Sequence, residues 1–378
     1  MATIQVLKPK FHIDECLEQI RECLEKGWTG SGFKTAEFEK KWKEYTGHAN
    51  ACYLNSNTAG LHLAVNILKR RYGWQDGDEI ISSPITFVST NHAIMYERMK
   101  PCFADVDEYL CIDPADVEKK INDKTRAIMF VGYGGRVGQL DKIIALCKKY
   151  GLRLILDAAH MSGTRVNGVF PGTWEGVDVA VYSFQAVKNL PTGDSGMICF
   201  ADEALDKECR MVSWMGINKD TYARTTSEGT YKWNYGVDYL GYKYNGNAVM
   251  AAIALAQLPY LDEENARRRE IAAMYDKAFS TNPKIHIIGA PYADECSYHI
   301  YEIAVPDREA LLGELAKNDI YGGVHYRDNT EFSMYTYAHG TCPHAHEISQ
   351  HIITMPLHMY LTDEDVNRIT EIVNGFVK

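Results

Sequence analysis

Lys188 lies in a short polar stretch between two apolar, β-rich runs, 179–184 and 197–200, with the Ser183 hydroxyl just ahead of it. Burial lowers the pKa of an amine, so a lysine held between two buried strands has a neutral, nucleophilic form near neutral pH. That is what an enzyme needs to hold an aldehyde cofactor covalently, as a Schiff base. Asp157 closes another run, 152–156, that is otherwise almost wholly apolar. A carboxylate there is costly to bury unless a cation meets it. Taken singly, Lys188 also reads as a solvated loop lysine and Asp157 as a cap on the next turn. Taken together they match the two contacts that pyridoxal phosphate asks for, a lysine at its aldehyde and an acid at its ring nitrogen.

A third element suits the same group. Residues 51–54 read as a short strand, Ser56-Asn57-Thr58 as a turn, and 59–71 as a helix with Leu61, Leu63, Ala64, Ile67 and Leu68 apolar. A strand–turn–helix junction with two hydroxyls and free helix N-terminal amides can bind phosphate. Ordinary N-capping by Ser56 or Thr58 is the competing reading.

These residues need a scaffold that brings them to one place. From residue 78 the chain alternates strand-like and helix-like segments, and the strand-like ones are continuously apolar. Such a pattern predicts a mainly parallel sheet covered by helices on both faces. Ligands bind beyond the C-terminal ends of such strands, which would gather Thr86, Asp157, His160, Ser183 and Lys188 on one edge. Residues 79–87 read as one strand, ending at Phe87. At the N-terminus, residues 11–26 read as an amphipathic helix with Ile13, Cys16, Leu17, Ile20 and Leu24 apolar. A long helical region from residue 246, bent near Pro259, leads into a smaller α+β unit. The expected organisation is a large α/β domain over 1–250 and a linking helix with a smaller domain over 251–378.

Bulk properties exclude other classes. The 378 residues carry a formal net charge of −10 with no basic block, which argues against a nucleic-acid partner. No apolar run approaches membrane-spanning length and the first residues have no signal-peptide pattern, so no membrane association is expected. Ten cysteines without pairing rhythm suggest free thiols in a reducing cytoplasm. Cys342, His344 and His346 precede a helix and lack a second cluster, so no metal is expected. The stretch 55–60, Asn-Ser-Asn-Thr-Ala-Gly, is not the glycine fingerprint of a nicotinamide enzyme.

In order along the chain, WTGSG, LNSNTAGLHLA, GDEIISSPITFVSTNHAI, KPCFADVD, LDAAH, YSFQAVKNLPTGDSGM, GYKYNGNAVMAAIALAQL, GVHY and CPHAHEISQHIITMPLH resemble the DegT/StrS family of sugar aminotransferases. The resemblance is nearly end to end and implies the fold-type-I pyridoxal phosphate architecture. It implies Lys188 as the lysine bonded to the cofactor and the acid/base of the reaction. Asp157 would pair with the ring nitrogen, His160 would lie by the phenolic oxygen, and Phe87 would stack on the ring. Ser56, Asn57, Thr58 and Ser183 would hold the phosphate, completed across a homodimer by Lys243 or Asn245 of the neighbouring copy. Gly30, Ser31, Gln185, His325 and Tyr326 fall on the substrate side. The implied reaction moves an amino group from L-glutamate to a keto sugar, with C4 of a nucleotide-linked 4-keto-6-deoxy hexose favoured. The alternatives are a cyclitol or small phosphorylated ketone as acceptor, or a non-catalytic protein that keeps the fold.

Four positions depart from the family pattern. Asn57 replaces a glycine, and asparagine tolerates left-handed backbone geometry, so the turn is expected to survive. Gln185 stands where histidine is common, and Asp194-Ser195 where Glu-Gly is usual. The stretch 132–139 introduces Arg136. These last three are expected at or near the substrate.

Overall fold

The computed structural model describes residues 3–218, 235–291 and 295–378. The apolar runs form a seven-stranded sheet from β1 (Asn50–Leu54), β2 (Glu79–Ser82), β3 (Lys100–Phe103), β4 (Thr125–Val131), β5 (Arg153–Asp157), β6 (Val179–Ser183) and β7 (Gly196–Phe200). Their order is β1-β7-β6-β5-β4-β2-β3. Strands β2 to β6 pair in parallel, whereas β7 runs antiparallel between β1 and β6. The segment between β6 and β7 contains no helix, so the chain returns beside β6 instead of crossing over to a parallel position. Lys188 lies in that return. The C-terminal ends of β1, β5 and β6 therefore share one sheet edge, carrying the 55–58 turn, Asp157 and Ser183.

The helix Asn57–Tyr72 is buried from Asn57 to Leu68, apart from Thr58, and covers one face of this sheet. Gly196 is what lets β7 pass its N-terminus. A Cβ there would stand 2.6 Å from the Asn57 nitrogen and 2.7 Å from the Ser56 carbonyl carbon. Two expectations are corrected. Strand β2 stops at Ser82, because Pro84 cannot donate to a ladder and the Ser83 hydroxyl accepts the Ile85 N–H at 3.1 Å. Phe87 is therefore the N-cap of the helix Val88–Tyr96, not a strand end. In the helix Ile13–Glu25, Cys16 and Cys23 face inward while Ile13, Leu17 and Leu24 are 65%, 56% and 63% exposed. Its apolar stripe thus turns mostly away from the chain's own core.

The helix Ala248–Gln257 packs on the two N-terminal helices, and the chain bends through a 3₁₀ turn at Leu258–Tyr260. A second, antiparallel sheet follows, β8 (His286–Ile287), β9 (Tyr301–Ala304) and β10 (Ile352–Met355), in the order β10-β9-β8. The helices Leu261–Phe279 and Asp363–Phe376 close a core over it with Tyr275, Ile303, Ile353 and Ile369. Thr362 caps the last helix reciprocally with Asp365, as the Thr-x-x-Asp pattern predicts. All ten cysteines are free thiols, nine of them buried. Among the described residues no helix is long and apolar enough to cross a membrane.

Arg136 is not near the substrate side. Its guanidinium is 1% exposed and bonds Glu302 on β9 at 2.9 Å, the Ile288 carbonyl at 2.8 Å and the Gly289 carbonyl at 2.8 Å. A buried guanidinium needs acceptors, and the inward carboxylate of β9 with two loop carbonyls supplies them. Removing one partner strands the other charge. Glu302→Ala is expected to cost about 3–5 kcal/mol of stability, read as a lowered urea midpoint, whereas replacing both by apolar residues should recover much of it.

Candidate active site

Past the shared sheet edge lies a cavity of about 380 Å³ lined by residues from nearly every segment singled out above. Ser56, Asn57, Thr58, Thr86, Phe87, Asp157, His160, Ser183, Gln185, Lys188, Asp194, Ser195, His325 and Tyr326 all border it. Its size is that of a small-molecule site. Lys188 is brought there by the β6–β7 return, and desolvation lowers its amine to a pKa of about 8, with the Asp157 charge opposing. At pH 7 about one amine in ten is then neutral, roughly 300-fold more than for a solvated lysine.

Asp157 is 3% exposed at the end of β5. It accepts from the Thr90 hydroxyl at 2.8 Å, the Ala159 N–H at 3.2 Å and the Asn57 amide at 3.3 Å. Burial pushes its carboxyl above the usual range, while those three donors and the Lys188 charge pull the other way. Donors gathered on a buried carboxylate prepare it to face a cation.

His160 is buried too, and desolvation holds it well below the usual histidine range. Its Nδ1 accepts the Gly134 N–H at 3.1 Å, so the proton of the neutral ring sits on Nε2, 3.3 Å from the Tyr326 hydroxyl. The loop containing Arg136 therefore bears on the site not through its guanidinium but through Gly132, whose N–H donates to the Asp157 carbonyl at 3.0 Å, through the Tyr133 ring edge-on to those of His160 and Tyr326, and through Gly134. His325 bonds the Thr354 hydroxyl through Nδ1 at 2.8 Å, and burial lowers it to a pKa of about 4.

At the helix N-terminus, Ser56 has extended backbone and its hydroxyl accepts the Ala59 N–H at 3.1 Å. Asn57 is the first helical residue and not left-handed, so its place needs no glycine. Its amide turns down to Asp157 and to the Val181 carbonyl, 3.0 Å away, because the buried acid needs a donor. Only its backbone N–H remains for an anion at this junction. Thr58 and Ser183 both border the cavity.

The model of the DegT/DnrJ/EryC1/StrS aminotransferase family matches residues 12–374. The chain is 33% identical over 376 residues to the spore coat polysaccharide biosynthesis protein SpsC of Bacillus subtilis, covering 96% of this chain and 95% of SpsC. The chain belongs to the DegT/DnrJ/EryC1/StrS aminotransferase family. Among solved structures it is similar to the sugar aminotransferase CalS13 of Micromonospora echinospora, with a TM-score of 0.88, 28% identity, and 99% and 100% of the two chains covered. It is also similar to Spr1654 of Streptococcus pneumoniae in its PMP form, with a TM-score of 0.89, 27% identity, and 99% and 97% covered. The protein is a pyridoxal-phosphate-dependent aminotransferase of fold type I.

The cavity's donor set fits that cofactor. A buried acid with three donors, a lysine of lowered pKa, a helix N-terminus and the Phe87 ring, 58% exposed, surround one space. An aromatic face left open beside a cavity suits stacking on a ring.

Four residues assigned to the site by resemblance lie elsewhere in this chain. Gly30, Ser31 and Asn245 line a separate cavity of about 590 Å³ with Tyr53, Arg210 and Trp214. Lys243 Nζ sits 3.2 Å over the Trp214 ring. The same loop meets the junction through backbone carbonyls, the Asn55 N–H donating to the Tyr244 carbonyl at 2.8 Å and the Asn55 amide to the Lys243 carbonyl at 3.2 Å, and Tyr242 and Tyr244 border a further cavity with Ser56 and Thr58. The sequence reading missed His299, whose Nε2 is 3.2 Å from Lys188 Nζ, and Thr90, which bonds Asp157. Thr90 lies four residues beyond Thr86, one helical turn away, a spacing that could have revealed it.

Proposed function

We propose that the enzyme moves an amino group from L-glutamate to a keto sugar, with C4 of a nucleotide-linked 4-keto-6-deoxy hexose as the acceptor carbon. The observation that carries the reading is a lysine of lowered pKa and a donor-ringed buried acid on one cavity. The sugar acceptor is supported by the names of SpsC and CalS13 and by the SFQAVKN stretch, which resembles the 4-amino branch of the family.

Each residue then has a task. Asp157 would hold positive charge on the ring nitrogen, and the His160 Nε2 hydrogen, 3.3 Å from the Tyr326 hydroxyl, would serve the phenolic oxygen. The backbone N–H groups of the 56–58 turn, with the Thr58 and Ser183 hydroxyls, hold the phosphate at the helix N-terminus. Phe87 covers the ring face. Bound there, pyridoxal phosphate supplies an electron-accepting ring and carries the amino group between donor and acceptor. Lys188 moves the proton at the substrate carbon. Lys243 or Asn245 serves the neighbouring copy in a homodimer, since neither borders the cavity of its own chain.

The test is to incubate the protein and L-glutamate with a panel of nucleotide-linked keto sugars and read the product by mass. Exchange of oxygen for nitrogen on a 4-keto sugar is the expected result. Turnover confined to cyclitol ketones or small phosphorylated ketones would replace this reading with the non-nucleotide acceptor.

A further inference from the structure

Among the described residues the Lys188 amine has one hydrogen-bond partner, and it is a histidine whose tautomer can be derived. His299 is 2% exposed and lies at the entry to β9. Its Nε2 is 3.2 Å from Lys188 Nζ and its Nδ1 is 3.1 Å from Asn189 Oδ1. Asn189 spends both amide hydrogens elsewhere, one on the Ser297 carbonyl and one on Asn265 Oδ1, each at 2.7 Å. Asn265 in turn donates to the Ser162 carbonyl at 2.9 Å. Two backbone carbonyls, which can only accept, thus fix the orientation of both amides. Asn189 must present oxygen to His299, so Nδ1 bears the ring hydrogen and Nε2 bears a lone pair aimed at Lys188. Gly163 makes room for the relay, since a Cβ there would lie 2.1 Å from the Asn265 amide nitrogen.

We propose that His299, held in this tautomer by Asn189 and Asn265, is a positioning residue that accepts a hydrogen from the Lys188 amine and leaves its lone pair facing the cavity. The inference rests on the reading of Lys188 as the reacting amine. His299 is no proton carrier. Burial and the charges of Lys188, His160, Arg268 and His325 hold its pKa well below the usual histidine range, so the ring stays neutral while Lys188 titrates. The other groups facing the pair are Asp157 from the end of β5, Asp194 from the β6–β7 return, and Tyr326 beside His325. Of these, Asp157 favours the charged lysine. His299 acts in the same direction, because a neutral acceptor bonds an ammonium more strongly than an amine.

The test uses the 378-residue chain stripped of cofactor, with pyridoxal 5′-phosphate as the probe. Uptake is followed by the visible band across pH 6 to 10, and the attachment site is mapped after borohydride reduction. Wild-type uptake at Lys188 should rise about tenfold per pH unit and level off near pH 8. His299→Leu keeps water out but removes the acceptor. Its break should fall by about one to two pH units, and its plateau rate should fall roughly tenfold. His299→Gln, whose amide oxygen can reach the place of Nε2, should restore both. A His299→Leu protein with the wild-type break and plateau would overturn the proposal, as would a His299→Gln protein indistinguishable from His299→Leu. Wild-type attachment at a lysine other than Lys188 would instead overturn the reading beneath it.

Discussion

Lys188→Ala is expected to lower steady-state transamination by on the order of 10⁴-fold, with folding intact. On the proposed reading two tasks vanish with the amine, covalent anchoring of the cofactor and movement of the proton at the substrate carbon. Among the described residues no other lysine borders the cavity to anchor the cofactor, and its two histidines, His160 and His325, are held below the usual histidine range, with His160 spending Nδ1 on Gly134. Lys188→Arg should fail as badly, since a guanidinium does not deprotonate near neutral pH. Stability should not suffer. The amine's lowered pKa means that burial disfavours its charged form, so below about pH 8 the wild-type lysine carries a desolvation cost that alanine lacks. A thermal midpoint at or above wild type, together with lost turnover, is the expected pair. Retained turnover, with borohydride fixing the cofactor to a different lysine, would remove Lys188 from its role.

How far could these residues be read without coordinates? The strands of the large sheet were legible because buried strands are continuously apolar, and the sheet-edge rule then gathered Asp157, Ser183 and Lys188 on one cavity. What stayed hidden depends on partners distant in sequence. Arg136 reads as a loop charge, yet its carboxylate partner is Glu302, 166 positions away on the other sheet. Asn57 reads as a turn residue, yet a buried acid 100 positions later draws its side chain beneath the site. His299 is a lone histidine entering an apolar strand, and its meaning comes from Asn189 and Asn265, which no local pattern joins. The stripe of the first helix showed the correct period, but periodicity does not say whether a face is covered by the same chain. Gly30 and Ser31 were read on the substrate side and Asn245 on the phosphate of a neighbouring copy, yet the fold places all three on a second cavity.

Asp157→Asn isolates charge from shape. Asparagine fits the same space, and its amide oxygen can still accept from Ala159 N–H and from Asn57, while its NH₂ faces Thr90. The Thr90 hydroxyl can turn to donate to Thr86, 2.8 Å away, so no buried group is stranded and the fold should stand. What disappears is the negative charge that the proposed reading sets against the ring nitrogen. Leaving a buried cation without its hydrogen-bonded partner costs about 3–5 kcal/mol, which at the barrier is a loss of about 10²–10⁴-fold in kcat. The loss should fall on kcat more than on the KM of either substrate, because neither the 56–58 turn nor the wall of Gln185, His325 and Tyr326 is altered. The variant should still bind cofactor at Lys188, since the covalent link and the phosphate grip do not depend on Asp157. A change in kcat below tenfold would mean that the three donors around this acid serve the end of β5, and that the ring nitrogen finds its charge elsewhere.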